Sequence, residues 1–170
     1  LTFLCSFITF LYCLKAIMIA YMGRNRRQLV NQLTIDWSNS LLRQVKAHYT
    51  VFNPHHVEFQ PGRCYIVMSN HQSHFDIPLL LLAFQGRLRM LAKQELFKWP
   101  FFGYAMRVSE FISIDRKNHQ QALLDLAYAQ QKMQDGIVVW IAPEGTRSSN
   151  GELLPFKKGG FMLALQAQAI

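Results

Sequence analysis

Apolar residues run almost unbroken from Leu1 to Met22, interrupted mainly by Thr2, Ser6, Thr9 and Lys15. A helix that crosses a bilayer needs roughly 20 apolar residues, so this stretch is long enough to enter a membrane. Arg24, Arg26 and Arg27 follow at once, and basic residues at the end of such a helix favour the cytoplasmic side. Lys15 interrupts the run, though a lysine stem can carry its ammonium to the interface. Charge follows the apolar run instead of preceding it, and no small-residue cleavage site appears, which disfavours a cleaved signal peptide. The pattern predicts a membrane-associating helix and leaves spanning or embedding open; a buried core helix is the plainer alternative. From Gln28 to Tyr49 the apolar positions Leu29, Leu33, Trp37, Leu41, Val45 and Tyr49 recur every four residues, the signature of an amphipathic helix. Such a helix either packs on the rest of the fold or lies in the headgroup layer with Trp37 as an interfacial anchor.

Beyond Tyr49 the pattern alternates between short apolar runs and longer helical stretches. Val51-Phe52, Pro54 and Pro61-Gly62 mark extended pieces and turns. Cys64–Ser69 reads as a buried strand and Asp76–Phe84 as a helix, with Ser73 or Asp76 near its start and Pro78 in its first turn. Arg89–Ala92 reads as a strand, Pro100–Arg107 as a helix, and Glu110–Ile114 as a strand. Asn118 is placed to cap a helix that runs to Gln134, with Leu123, Leu126, Ala127, Gln130 and Met133 along one side and Gly136 at its end. Ile137–Ile141 is a further buried strand, Pro143-Glu144-Gly145 a turn, and Phe161–Ile170 the start of another helix. Strands alternating with helices mean an α/β fold: a mixed, largely parallel sheet flanked by helices, with the membrane-associating helical segment in front. The division expected is 1–50 for the hydrophobic and amphipathic helices and 51–170 for the α/β domain. The chain starts without Met and stops inside an apolar stretch, so a fragment truncated at both ends is expected.

Composition narrows the partners. The 170 residues are 51% hydrophobic and 16% charged, which fits one folded core and excludes a disordered chain. Lys and Arg number 18 against 10 Asp and Glu, a net charge of +8, so the partner is expected to be anionic. The three cysteines, Cys5, Cys13 and Cys64, show no CxxC spacing, which supports neither a zinc site nor a disulfide framework. A reduced, cytoplasmic catalytic face is the easier reading.

Three stretches carry candidate chemistry. In Asn70-His71-Gln72-Ser73-His74-Phe75-Asp76, a histidine precedes an aspartate by five positions where a strand hands over to a helix. If the loop folds His71 back on Asp76, the carboxylate fixes one ring nitrogen and leaves the other to take a proton. Such a pair is a general base for a hydroxyl, with Asn70 and Ser73 bracing the loop. The same residues also suit plainer roles, His71 ending a strand and Asp76 opening a helix, and His71, His74 and Asp76 have zinc-ligand chemistry. Ser73 lacks a GxSxG elbow, and no GxxxxGK[ST] or GxGxxG loop is present. The second stretch, Ile112 to Arg116, puts an arginine at a strand end; the third, Trp140 to Ser148, puts Arg147 after a tight turn. In a parallel sheet such ends share one edge, and two guanidinium groups there make a phosphate site. Lys157-Lys158-Gly159-Gly160 adds charge and backbone N–H groups at a helix start.

Together these stretches resemble the glycerolipid acyltransferase family, in particular the 1-acylglycerol-3-phosphate (lysophosphatidic acid) acyltransferases. Asn70, His71, Ser73 and Asp76 match the family's NHxSxxD block. Ile114-Asp115-Arg116 is similar to the second block, and Pro143, Glu144, Gly145, Thr146, Arg147 and Ser148 to FPEGTRS. Pro61-Gly62, Lys93-Gln94-Glu95-Leu96, Pro100-Phe101-Phe102-Gly103 and Phe156-Lys157-Lys158-Gly159 also resemble the family, and the likeness runs from about Val51 to Ile170. Ser109-Glu110 stands where the second block often has glycine, Ala142 replaces an aromatic, and the fourth block is absent. These departures bear on substrate preference more than on reaction type.

The resemblance implies an enzyme that moves an acyl group from acyl-CoA or acyl carrier protein to the free hydroxyl of a lysophospholipid, most often giving phosphatidic acid. It implies that His71 is the base, Asp76 orients it, and Arg116 and Arg147 hold the acceptor phosphate. It places Asn70, Ser73, Glu144, Gly145, Thr146 and Lys157 in the acceptor pocket. No metal and no cofactor beyond the acyl-CoA or acyl carrier protein co-substrate is implied, and the acceptor is a lipid of the bilayer. Three other readings remain: a non-catalytic module binding anionic lipid through Arg24, Arg26, Arg27 and the later basic residues, a metal-dependent lipid hydrolase using His71, His74 and Asp76, and a nucleic-acid binder. The last has only the charge in its favour, since basic residues are not interleaved with aromatics along one face.

Overall fold

The structure, a computed structural model, describes residues 1–22 and 25–170; Arg24 lies outside the described residues. Two compact units interleave along the chain. One comprises residues 1–52, 75–87 and 94–111, the other residues 53–74, 88–93 and 112–170.

The first unit is helical. Helix α1 spans Thr2–Ala20, α2 Arg26–Gln44, α3 Asp76–Ala83 and α4 Phe102–Val108, with a 3-10 turn over Gln94–Lys98. Of the first apolar run only Cys13, Ala16 and Ile19 are buried on α1, while Phe3, Phe7, Phe10 and Met18 stay exposed. Cys13 and Ala16 pack with Ala105 of α4, and Leu33 and Phe102 close around them. By length and apolar composition α1 is a candidate membrane segment, with a mean hydropathy of 2.1. Its exposed apolar face is what a lipid-facing helix shows and a water-soluble one rarely keeps.

Helix α2 ends at Gln44, short of the expected Tyr49, and its buried stripe is shifted by one position. Val30, Thr34, Ser38, Leu41 and Leu42 are buried, whereas Leu29, Leu33 and Trp37 are half-buried. The small residues Thr34 and Ser38 let neighbouring helices approach closely, as in helix pairs where small side chains form the seam. The Trp37 indole N–H donates to Thr9 Oγ1 at 3.1 Å, and the Tyr12 and Ser40 hydroxyls share a hydrogen bond of 3.0 Å. Trp37 therefore ties α2 to α1, in keeping with the packed alternative. Arg26 donates to the Val108 carbonyl at 3.2 Å, and Arg27 grips Glu110 with two bonds of 2.9 Å.

The α2–α3 contact depends on Gly86. Its φ is +70°, and a Cβ there would lie 2.4 Å from the Asn31 carbonyl oxygen of α2. Gly86→Ala is expected to destabilise the helical unit by about 2–4 kcal/mol, combining left-handed strain with overpacking. Thermal unfolding in detergent checks this, and an unchanged midpoint would show that the contact is not needed.

The second unit is built on a sheet. Strands β1 (Ile66–Met68), β2 (Leu88–Lys93), β3 (Ile112–Ile114) and β4 (Val138–Ile141) lie in the order β1-β4-β2-β3. All three ladders are parallel: Val67 pairs with Trp140, Arg89 with Val139, and Ala92 with Ser113. The near-continuous apolar sequence of β4 fits a central strand buried on both faces, and all four of its residues are buried. Helix α5 spans His119–Gln134 and α6 spans Lys158–Gln166. Asn118 caps α5 as expected, its side chain accepting from the Gln121 N–H at 3.2 Å. The buried side of α5 is Leu126, Ala129 and Met133; Leu123 and Ala127 of the expected stripe are exposed. Those three pack with Ile112, Ile137, Val139, Ile141 and Leu163 to form the core of the unit. α6 begins at Lys158, three residues before the expected Phe161.

Candidate active site

Because the sheet is parallel, the carboxyl ends of its four strands share one edge, where open α/β sheets place their sites. β1 ends at Met68 and leads to His71; β3 ends at Ile114 and leads to Asp115 and Arg116; β4 ends at Ile141 and leads to Glu144 through Ser148. The sequence-predicted residues of the second unit are thus delivered to a common edge by three strands. β2 brings a fourth residue that sequence reasoning did not single out for the site, the exposed Lys93 at its last position.

Specific contacts knit these loops. The Ser148 N–H donates to the His71 carbonyl at 3.3 Å, joining the first stretch to the third. Arg116 Nη1 donates to the Gly145 carbonyl, joining the second to the third. The His71 imidazole is half-buried and meets the Trp140 indole edge-on, with ring centroids 5.5 Å apart and planes at 80°. Trp140 is itself anchored, its N–H donating to Ser69 Oγ at 3.0 Å. Nothing in the residue spacing pointed to Trp140 or Ser69 as supports of His71. Asn70 is exposed and Ser73 half-buried on the same loop. Asp76 belongs to the helical unit, where it is half-buried as the first residue of α3.

Asp115 shapes the backbone of the turn that carries Arg116. Its carboxylate accepts from the Lys117 and Asn118 N–H groups at 2.9 and 3.2 Å, and Asp125 of α5 accepts from the Asp115 N–H at 2.8 Å. These bonds fix the backbone turn that presents Arg116, while the guanidinium remains exposed.

Glu144 is the least expected member. A glutamate in a polar turn is ordinarily exposed, yet Glu144 is only 1% exposed. Its Oε2 accepts from the Leu154 N–H at 2.9 Å, and its Oε1 is buried without a hydrogen-bond partner among the described residues. A buried carboxylate oxygen lacking a donor is costly, so this atom is a ready acceptor for a ligand's donor. Gly145 next to it has φ +73°, which lets the turn reverse tightly. Lys157 backs this turn: its N–H donates to the Pro143 carbonyl at 2.7 Å, and its Cγ would lie 3.3 Å from a Cβ at position 145. Thr146 and Arg147 are exposed beyond it. Among the described residues no three His, Cys, Asp or Glu side chains cluster as a metal site.

A histidine-bearing loop, two or more cations and a buried carboxylate on one edge of a parallel sheet have the chemistry for one class of reaction, group transfer at a phosphate-bearing molecule. The comparisons with known proteins make the class specific. The acyltransferase family model matches residues 49–170, and the chain belongs to that family. It is 37% identical over 168 residues to 1-acyl-sn-glycerol-3-phosphate acyltransferase alpha of Homo sapiens, covering 96% of this chain and 56% of that protein. The human beta form is 34% identical over 158 residues, covering 90% of this chain and 55% of that protein. The crystal structure of the 1-acyl-sn-glycerophosphate (LPA) acyltransferase PlsC from Thermotoga maritima superimposes with a TM-score of 0.79 at 26% identity, covering 99% of this chain and 69% of that one. The chain spans little more than half the length of the human relatives it matches.

Proposed function

We propose that the protein transfers an acyl group from acyl-CoA or acyl carrier protein to the free hydroxyl of a membrane lysophospholipid, 1-acylglycerol-3-phosphate before others, giving phosphatidic acid. The observation that carries this reading is the convergence of His71, Arg116, Glu144 and Arg147 on one sheet edge in a chain of the acyltransferase family. His71 takes the hydroxyl proton as the oxygen attacks the thioester carbonyl; the C–S bond then breaks, and the departing thiolate recovers the proton from the imidazolium. Asp76 orients His71 and favours its charged form during attack. Arg116, Arg147 and Lys93 hold the acceptor phosphate, with Lys157, Gly145 and Thr146 shaping the pocket around it and Asn70 and Ser73 bracing the loop. Glu144 offers its unpartnered oxygen to a donor on the acceptor. The thioester is already activated, so the chemistry draws on no metal and no further cofactor. α1 holds the enzyme at the bilayer, where acceptor and product reside, with the site on the cytoplasmic face.

The test uses the complete protein in detergent micelles, a labelled acyl thioester and lysophosphatidic acid, with and without EDTA. Diacyl product in equal amounts under both conditions is expected. Product that disappears with EDTA would overturn the metal-free mechanism. No product from lysophosphatidic acid, glycerol 3-phosphate or other lysophospholipids, with lipid binding intact, would favour a non-catalytic lipid-binding protein.

A further inference from the structure

In the helical unit, α1 and α2 line an open cavity of about 480 Å³. Its walls are apolar, supplied by α1 residues that include Leu11, Leu14 and Met18, all exposed. Two cations line it, Lys15 from α1 and Arg43 from α2, and no aspartate or glutamate does. Lys15 is the one charged residue of α1, set in the second half of the candidate membrane segment. Its ammonium lies 4.7 Å from the centroid of the Tyr12 ring, a cation–π contact that holds it over the cavity wall. Tyr12 is in turn bonded to Ser40 of α2.

An ionisable residue in a membrane-embedded helix is expensive and usually marks a binding site or a paired charge. Here two like charges share one cavity with no acidic residue to balance them. An anion from outside the chain would balance them, and apolar walls beside the cations favour an anion that carries a hydrocarbon chain. The geometry points to a structural lipid site between α1 and α2 that takes one anionic phospholipid, its phosphate between Lys15 and Arg43 and an acyl chain along Leu11, Leu14 and Met18. This lipid is neither acceptor nor product, because none of the residues proposed for acyl transfer lines the cavity. It fastens the two helices to each other and to an anionic leaflet.

The experiment measures lipid retention by native mass spectrometry on the complete protein, taken from nanodiscs containing equal phosphatidylglycerol and phosphatidylcholine. One phosphatidylglycerol per chain is expected to survive release, in preference to phosphatidylcholine. Lys15→Gln/Arg43→Gln is expected to weaken that retention by about tenfold or more, whereas Arg87→Gln/Lys98→Gln, which removes the same charge elsewhere on the helical unit, leaves it intact. The charge-conserving pair Lys15→Arg/Arg43→Lys is expected to restore retention, which separates lost binding from lost folding. Equal retention of the two lipids, or equal loss in both glutamine variants, would overturn the site. The readout needs no acyl transfer. An unchanged KM for lysophosphatidic acid in the first variant would show that the lipid is not the acceptor.

Discussion

His71→Ala is expected to lower kcat/KM for acyl transfer by about 10²–10⁴, the usual contribution of a positioned general base. The substitution removes the imidazole alone. The backbone carbonyl that accepts from Ser148 stays, and so does the Trp140–Ser69 bond that shapes the pocket wall. Thermal unfolding and membrane binding should therefore match the unaltered protein, and the loss should fall mainly on kcat. Steady-state kinetics with a chromogenic thiol trap measures it directly. Turnover within a few-fold of the unaltered protein would sink His71 as the base. Asp76→Asn should act through His71, lowering kcat while leaving acceptor KM nearly unchanged.

Arg147→Ala and Arg116→Ala are each expected to raise the acceptor KM by about 10- to 150-fold, the equivalent of about 1.5–3 kcal/mol for one charge-assisted hydrogen bond. The KM for the acyl thioester should hardly move. The two variants should differ in a second respect. Arg147 is exposed beyond its turn, so its loss is a binding defect alone. Arg116 also donates to the Gly145 carbonyl, so its loss loosens the turn that carries buried Glu144 and should reduce kcat as well. Arg147→Lys should recover only part of the affinity, since an ammonium cannot make the two-pronged phosphate contact. Matching KM values for both substrates in all three variants would remove these arginines from the acceptor site.

The strands that carry the site were legible because each is a short apolar run ending in polar residues, and in a parallel sheet that order alone sets which edge they share. The cap of α5 at Asn118 was legible for the same local reason. Helix faces were less so. The stripe through Leu29, Leu33 and Trp37 assumes that large apolar residues seek the protein interior, but α2 buries Val30, Thr34 and Ser38 instead. Close helix packing selects small side chains, and beside a membrane the large ones need not be inside. Glu144 was recognised as a motif residue, while its burial was not, because burial arises from Leu154 and the turn around it. The pairing of Trp140 with His71 joins residues far apart in sequence and leaves no periodic trace. Glu110 adopts φ +61°, which nothing in the apolar pattern around it signals. That left-handed backbone is uncommon for a residue with a side chain, and the Glu110 carboxylate is held by Arg27.

The strand order β1-β4-β2-β3 has a consequence for how the molecule is made. Of the four described strands β4 is made last, yet it lies between β1 and β2 and bonds to both. Until it inserts, β1 has no neighbouring strand in the sheet and one side of β2 is open, the condition in which newly made chains stick to one another. Its closure joins Val67 to Trp140 across most of the domain, a long-range contact of the kind that slows folding. The same step sets Trp140 against His71 and brings the Gly145 carbonyl to Arg116. Acquisition of the reactive edge and completion of the sheet are therefore one late event, and a ribosome-bound chain halted before β4 would have neither.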